Sequence, residues 1–173
     1  MLAVHRGKSL LVTEETARLM DPVCRAEIER AEAADPEWAR LLRHLAEAGP
    51  SELEDLQVEL GLRPKELKSL RYPLERCGAI VSRALVYSDP HRHTSELARW
   101  DSAAGQQSRP ELPSPETPIR QALADLVVAG VRAAVVAPVG EIKRWFSCQW
   151  YWDDAILEDE RLIHVDGHVA LAE

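Results

Sequence analysis

Cysteine is scarce and poorly placed for cross-linking: Cys24, Cys77 and Cys148 are the only three in 173 residues, an odd number at wide spacing. That pattern fits neither a disulfide framework nor a paired-cysteine zinc site, and it predicts reduced, mostly buried thiols. No apolar run approaches the roughly 18 residues needed to span a bilayer, so no membrane partner is expected. The first residues, MLAVHRGKSLLV, have a basic stretch but no apolar segment followed by a small-residue cleavage site. They therefore read as no signal peptide, and a cytoplasmic location is the default expectation. A glycine-rich phosphate loop and a G-x-S-x-G nucleophile elbow are both missing. Positive charge is also in short supply, with 21 Lys and Arg against 29 Asp and Glu and a net charge of −8. That sum disfavours nucleic acid as a partner, because affinity for a duplex comes largely from neutralised phosphates; the distribution of charge has to decide.

What is present is a globular composition, 46% hydrophobic and 29% charged, in a length that suits one ordinary domain or two compact ones. Thr13 is a good N-cap, with Glu14 and Glu15 favouring the positive end of a short leading helix. Asp21-Pro22 and Asp35-Pro36 each pair a capping residue with proline at a first helical position, so two further helices are expected to start there. The second carries Trp38, Leu41, Leu42 and Leu45 at helical spacing and stops at Gly49. Ser51 to Glu54 reads as a capping box opening a short helix with Leu53, Leu56 and Leu60. Pro64 begins another, PKELKSLRYPLERC, which Pro73 should kink or interrupt and Gly78 should end. After Gly78, AIVSRALVY alternates like a strand, and TSELARW is its expected partner across the turn SDPHRH.

Residues 101–117 hold several prolines and small polar residues with no apolar period, which is the composition of a linker. Beyond it, Thr117-Pro118 caps a helix bearing Ile119, Leu123, Leu126 and Val127, with an Ala/Val-rich continuation to Ala137 expected to be buried all round. Pro138 opens PVGEIKRWFS, Asp153 caps DDAILEDE, and RLIHV-DG-HVALA is a strong two-residue hairpin signal. The fold class expected is mainly α with small β-hairpins (α+β): two tandem winged helix-turn-helix units, with the first within residues 1–100 and the second within 118–173. In such a unit the last helix enters the major groove and the hairpin meets the backbone or the minor groove.

The first unit is the better candidate for DNA contact. Residues 63–99 hold eight basic side chains (Arg63, Lys65, Lys68, Arg71, Arg76, Arg83, Arg92, Arg99) against four acidic ones, a local balance of +4. Lys65, Lys68 and Arg71 recur at helical period away from the leucines, and Arg83, His91, Arg92 and His93 belong to the wing. The candidate DNA-binding set is thus Arg63, Lys65, Lys68, Arg71, Arg83, His91, Arg92 and His93. The same stripe also suits the solvated face of an amphipathic helix.

In the second unit, five of the nine aromatic residues fall between Trp145 and Trp152. They can stack on exposed bases, but filling a small core or interface is the stronger reading. Glu158, Asp159 and Glu160 would repel phosphate there, so this unit suits packing or dimerisation. His91 and His93 lack a third ligand at metal spacing, and His164 and His168 fall on opposite faces of their hairpin. Asp153 and Asp154 read as caps rather than an acid and base pair. No catalytic residue, metal or cofactor is assigned.

The segments WARLLRHLAEAGPSELEDLQVELGL, LKSLRYPLERCGAIV and VVAPVGEIKRWFSCQWYWDDAILEDERLIHVDG resemble the AlkZ-type crosslink-repair DNA glycosylase family, over residues 38–171. That resemblance implies tandem winged-helix units, DNA as partner and a place in DNA repair. The family's glutamine, apolar residue, glutamine motif is not found around Gln57, Gln106, Gln107, Gln121 or Gln149, so no catalytic residue carries over. Three functions are consistent with these features: a noncatalytic DNA-binding protein, a DNA glycosylase acting on alkylated bases, and a winged-helix scaffold for a protein partner or a homo-oligomer.

Overall fold

The computed structural model describes residues 2–5, 8–87, 93–102, 118–147 and 149–172, with the backbone alone for 2–10 and 93. The chain is α+β, mostly helical, with two small antiparallel three-stranded sheets. A two-residue-linked pair of strands comes first, β1 (Leu2–His5) and β2 (Lys8–Leu10). Then follow α1 (Glu14–Ala34), α2 (Pro36–Ala48), β3 (Ser51–Glu52), α3 (Leu53–Glu59), α4 (Pro64–Cys77), β4 (Ile80–Val86) and β5 (His93–Arg99). The second half holds α5 (Ile119–Ala134), β6 (Val136–Pro138), α6 (Val139–Ile142), three short 3-10 turns, β7 (Leu162–Val165) and β8 (His168–Leu171).

The two halves repeat one topology. In each, a helix leads into a short strand, further helical turns follow, and a hairpin closes the unit. The sheet orders are β3-β5-β4 and β6-β8-β7, so in both the short early strand pairs with the last strand of the hairpin. The first hairpin aligns Ile80 with Arg99 and Val86 with His93. The second turns at Asp166 and Gly167, whose φ values of 47° and 75° are those the tight Asp-Gly turn requires.

Several helix limits differ from the expectation. Thr13 does cap α1, its hydroxyl accepting the Thr16 N–H at 3.2 Å, but no second helix starts at Asp21-Pro22. Pro22 lies inside one continuous helix, and Asp21 is buried with its carboxylate bonded by the Trp100 indole N–H at 2.9 Å. Burial of Met20, Val23 and Cys24 outweighs the hydrogen bond that Pro22 cannot donate. Asp35 caps α2 as expected, accepting from Glu37 at 2.8 Å.

The capping box at Ser51 to Glu54 does not form. Ser51 and Glu52 are drawn into a strand opposite Leu97 and Glu96, and the Ser51 hydroxyl donates instead to the Gly49 carbonyl at 3.0 Å. Pro73 does not interrupt α4, which runs through to Cys77 and ends at Gly78 with φ 85°. The Ala/Val-rich stretch is not buried all round: α5 ends at Ala134, and Val135 and Val136 are exposed beside the start of β6. Pro138 leads only into the four-residue α6, and the run after it tightens to 3-10 geometry. The linker of 103–117, including Thr117, lies outside the described residues.

Helix α1 serves both halves. Met20, Cys24, Ile28 and Ala31 join a core with Leu41, Leu45, Leu56, Leu67, Leu74 and Leu97. Val23 belongs to the other core, with Leu123, Val127, Val131, Ile142, Ile156 and Val169, where α1 packs against α5. Within that core a Cβ on Gly130 would stand 2.6 Å from the Trp145 ring. The glycine, disfavoured mid-helix by about 1 kcal/mol, is there to admit the indole.

Glu27, also on α1 and fully buried, accepts from Arg30 at 2.9 Å and from the Trp150 indole at 2.6 Å. Its neighbour Cys77 is a buried thiol whose pKa burial pushes up to about 12. We expect Trp100→Phe, which keeps the ring but removes the donor to Asp21, to lower stability by about 1 to 3 kcal/mol. Urea denaturation checks this, and an unchanged midpoint would show that the bond contributes nothing.

Candidate nucleic-acid interface

Burial fixes which way α4 faces. Leu67, Leu74 and Cys77 are buried and Leu70 is half-buried, whereas Lys65, Lys68, Ser69, Tyr72 and Arg76 are exposed. At 3.6 residues per turn those five positions fall on one side of the helix, opposite the leucines. Lys65 and Lys68 pair with no described carboxylate. The Arg76 guanidinium lies 5.7 Å from the Tyr72 ring centroid and also has no carboxylate partner among the described residues. From Lys65 to Arg76 the stripe extends roughly 16 Å along the axis, at about 1.5 Å per residue.

The other basic residues are mostly spent within the fold. Arg63 is exposed but clamps Glu66, whose carboxylate accepts the Arg63 backbone N–H at 2.8 Å and its Nε at 2.9 Å. The Arg63 side chain thereby holds Glu66 below the usual carboxylate range. Arg71 is half-buried and sits 3.9 Å from Glu75, whose pKa burial raises while Arg71 and Ser82 hold it down. Arg83 meets Glu96 at 2.5 Å, directly across the hairpin. Arg99 is bound to Glu32 at 2.8 Å and to Asp101. His91 and Arg92 lie outside the described residues, and His93 is placed by its backbone alone, opposite Val86.

The candidate set therefore divides. Lys65 and Lys68 come together on the open face of α4; Arg63, Arg71 and Arg83 are tied to carboxylates. Tyr72 and Arg76 complete the stripe at Lys68 plus four and plus eight, a period visible in the sequence.

The aromatic cluster divides as well. Trp145, Phe146, Tyr151 and Trp152 pack on the second core, with Phe146 and Trp152 stacked at 6.3 Å between centroids. Trp150 stays 53% exposed, its ring 4.3 Å from the Arg30 guanidinium. Asp153 accepts the Ala155 N–H at 3.0 Å and Asp154 the Trp152 indole N–H at 2.7 Å, so each of these adjacent carboxylates has a structural partner. His164 and His168 bond separate carbonyls, of Leu157 and Asp166, on opposite faces of their hairpin. Among the described residues no group of three His, Cys, Asp or Glu could hold a metal ion, and no helix is long and apolar enough to cross a membrane.

No family model, curated protein or solved structure matches this chain.

Arg71, off the open face, is testable in its own right, because its charge compensates the half-buried Glu75. Arg71→Met should push the Glu75 pKa further up, so protonation would favour the folded state below about 4.5 and that advantage would fade as pH rises through the folded value. We expect the variant to be less stable than wild type at pH 7, with the gap narrowing toward pH 4.5. Thermal melts across that range measure it, and a gap independent of pH would dismiss the role given to Arg71.

Proposed function

We propose that the chain consists of two winged-helix units in tandem and is a noncatalytic DNA-binding protein that lays the open face of α4 in the major groove of a duplex. The observation that carries this reading is the stripe of Lys65, Lys68 and Arg76, three cations without carboxylate partners among the described residues, in a chain with a net charge of −8. A B-form major groove is about 12 Å wide and admits one α-helix, so a face roughly 16 Å long can follow it. The repeated topology supports the winged-helix assignment, with α4 as the recognition helix and the β4-β5 hairpin as the wing. The resemblance to the AlkZ-type family agrees with DNA as partner.

The second unit is less suited to phosphate. Asp159 is held down to about 2 by its hydrogen bonds from Arg161, so it stays charged, and Glu158 and Glu160 flank it. A second reading, docking of protein on this unit, is favoured by one observation: Val136, Ile163 and Val165 are exposed, with Ile163 and Val136 both paired to Ala170 across the sheet. Light scattering separates it, since a stable dimer or higher oligomer would support docking between copies.

Anisotropy titrations with a random-sequence duplex should show binding whose logarithm falls linearly with the logarithm of salt. Lys65→Glu with Lys68→Glu should weaken it at least about tenfold at low salt and reduce the slope by about 2. Unchanged affinity in the double variant would refute the α4 interface. Base release from an alkylated duplex would instead mark the protein as a glycosylase.

A further inference from the structure

Two adjoining hollows lie where the C-terminal half of α4 meets the second unit. One, of about 380 Å³, is walled by Arg30, Trp38, Tyr72, Arg76 and Trp150. The other, of about 580 Å³, adds Arg144, Phe146 and Gln149 and shares Arg76, Ser147 and Trp150 with the first. Tyr72 and Arg76 belong to both the α4 stripe and this groove, so the cationic face runs directly into it.

The groove combines a flat ring, cations and an unused hydroxyl. The Trp150 indole is pinned, its N–H bonded to Glu27 at 2.6 Å and its ring beside the Arg30 guanidinium, yet more than half of the residue is exposed. Glu27 adds no free negative charge, since it is fully buried and bound by Arg30 through both carboxylate oxygens at 3.2 and 2.9 Å. Among the described residues Arg144 is paired with Glu141 alone, at 2.7 Å, and Arg76 has no carboxylate partner. The Ser147 hydroxyl is shut off from solvent and bonds to nothing among the described residues. A buried hydroxyl left without a partner calls for an explanation, and its residue, Ser147, is in the wall of both hollows.

We propose that this groove is a nucleotide site, with an unpaired base resting on Trp150 and its phosphate held by Arg76 and Arg144. An aromatic face accepts any base by stacking, guanidinium groups are the natural donors to phosphate, and ligand sites begin at about 300 Å³. The nucleotide comes either from an unpaired position in DNA lying along α4 or from the free pool. The first source rests on the DNA-binding reading; the second does not.

The test compares a fully paired duplex, the same duplex with one bulged adenosine, and dAMP alone. For wild type, the bulge should tighten binding about tenfold. Trp150→Ala and Arg144→Glu should each abolish that gain while leaving affinity for the paired duplex within about twofold. Because Trp150→Ala also strips a bond from Glu27, circular dichroism must show it folded; Arg144→Glu, on an exposed side chain, carries the test alone if it is not. Binding of dAMP that quenches tryptophan fluorescence and is lost in Arg144→Glu, with no gain from the bulge, would support the site with a free nucleotide as its ligand. Binding of dAMP without any binding of paired duplex would likewise support the groove and defeat the α4 interface. Binding of paired duplex with no gain from the bulge and no response to dAMP would overturn the nucleotide site and leave the α4 interface standing. A bulge preference that survives Arg144→Glu would overturn it too.

Discussion

Asp21 and Glu27 stand six residues apart on α1, both buried, and each is bonded by the indole of a tryptophan from a different part of the chain. A carboxylate in an apolar interior is strongly unfavourable unless its lone pairs are filled, so Asp21 needs the Trp100 indole and Arg25, whose Nε donates to it at 2.8 Å, and Glu27 needs the Trp150 indole and Arg30. Trp100 closes the hairpin of the first unit onto Asp21; Trp150 ties the second unit to Glu27. The same helix supplies Met20, Cys24 and Ile28 to one core and Val23 to the other. The geometry of both halves, and of the groove between α4 and Trp150, depends on those two carboxylates being satisfied.

Charge is allocated in a comparable way. The region 63–99 has eight basic side chains, but four of them, Arg63, Arg71, Arg83 and Arg99, each face a carboxylate. Exposed pairs of this kind contribute little to stability, yet they do withdraw a cation from the pool able to meet phosphate. Among the described residues of that region the remaining cations, Lys65, Lys68 and Arg76, share one helix face that continues toward the groove. On the proposed reading, a narrow cationic stripe on an acidic protein would give a salt-sensitive contact in one orientation, because the rest of the surface would repel the duplex.

Local signals were legible where a short segment decides its own conformation. The Asp35 cap, the proline start of α4, the Gly78 stop and the Asp-Gly turn all stand where the sequence puts them. Errors arose where distant partners outvoted a local preference. Asp21 reads as a helix cap, but burial against Trp100 makes it an interior carboxylate within a longer helix. Ser51 reads as half of a capping box, yet the edge of β5 offers it a strand partner. Pro73 reads as a kink or interruption, yet the helix continues past it to Cys77 and carries Arg76 on the same face as Lys65 and Lys68.

By itself the sequence determined the α+β class, α2, α4 and the hairpin of each half, and the lysines of α4 as the best candidate cations, because periodicity and turn chemistry act over a few residues. Only the tertiary structure decided which arginines are already paired, that α1 underlies both cores, and that Arg76 and Trp150 wall one groove. Arg76 and Trp150 are 74 positions apart, and α1 supplies Arg30 between them. No local pattern encodes that proximity; it follows from α5 packing on α1 and from the indole that Glu27 holds.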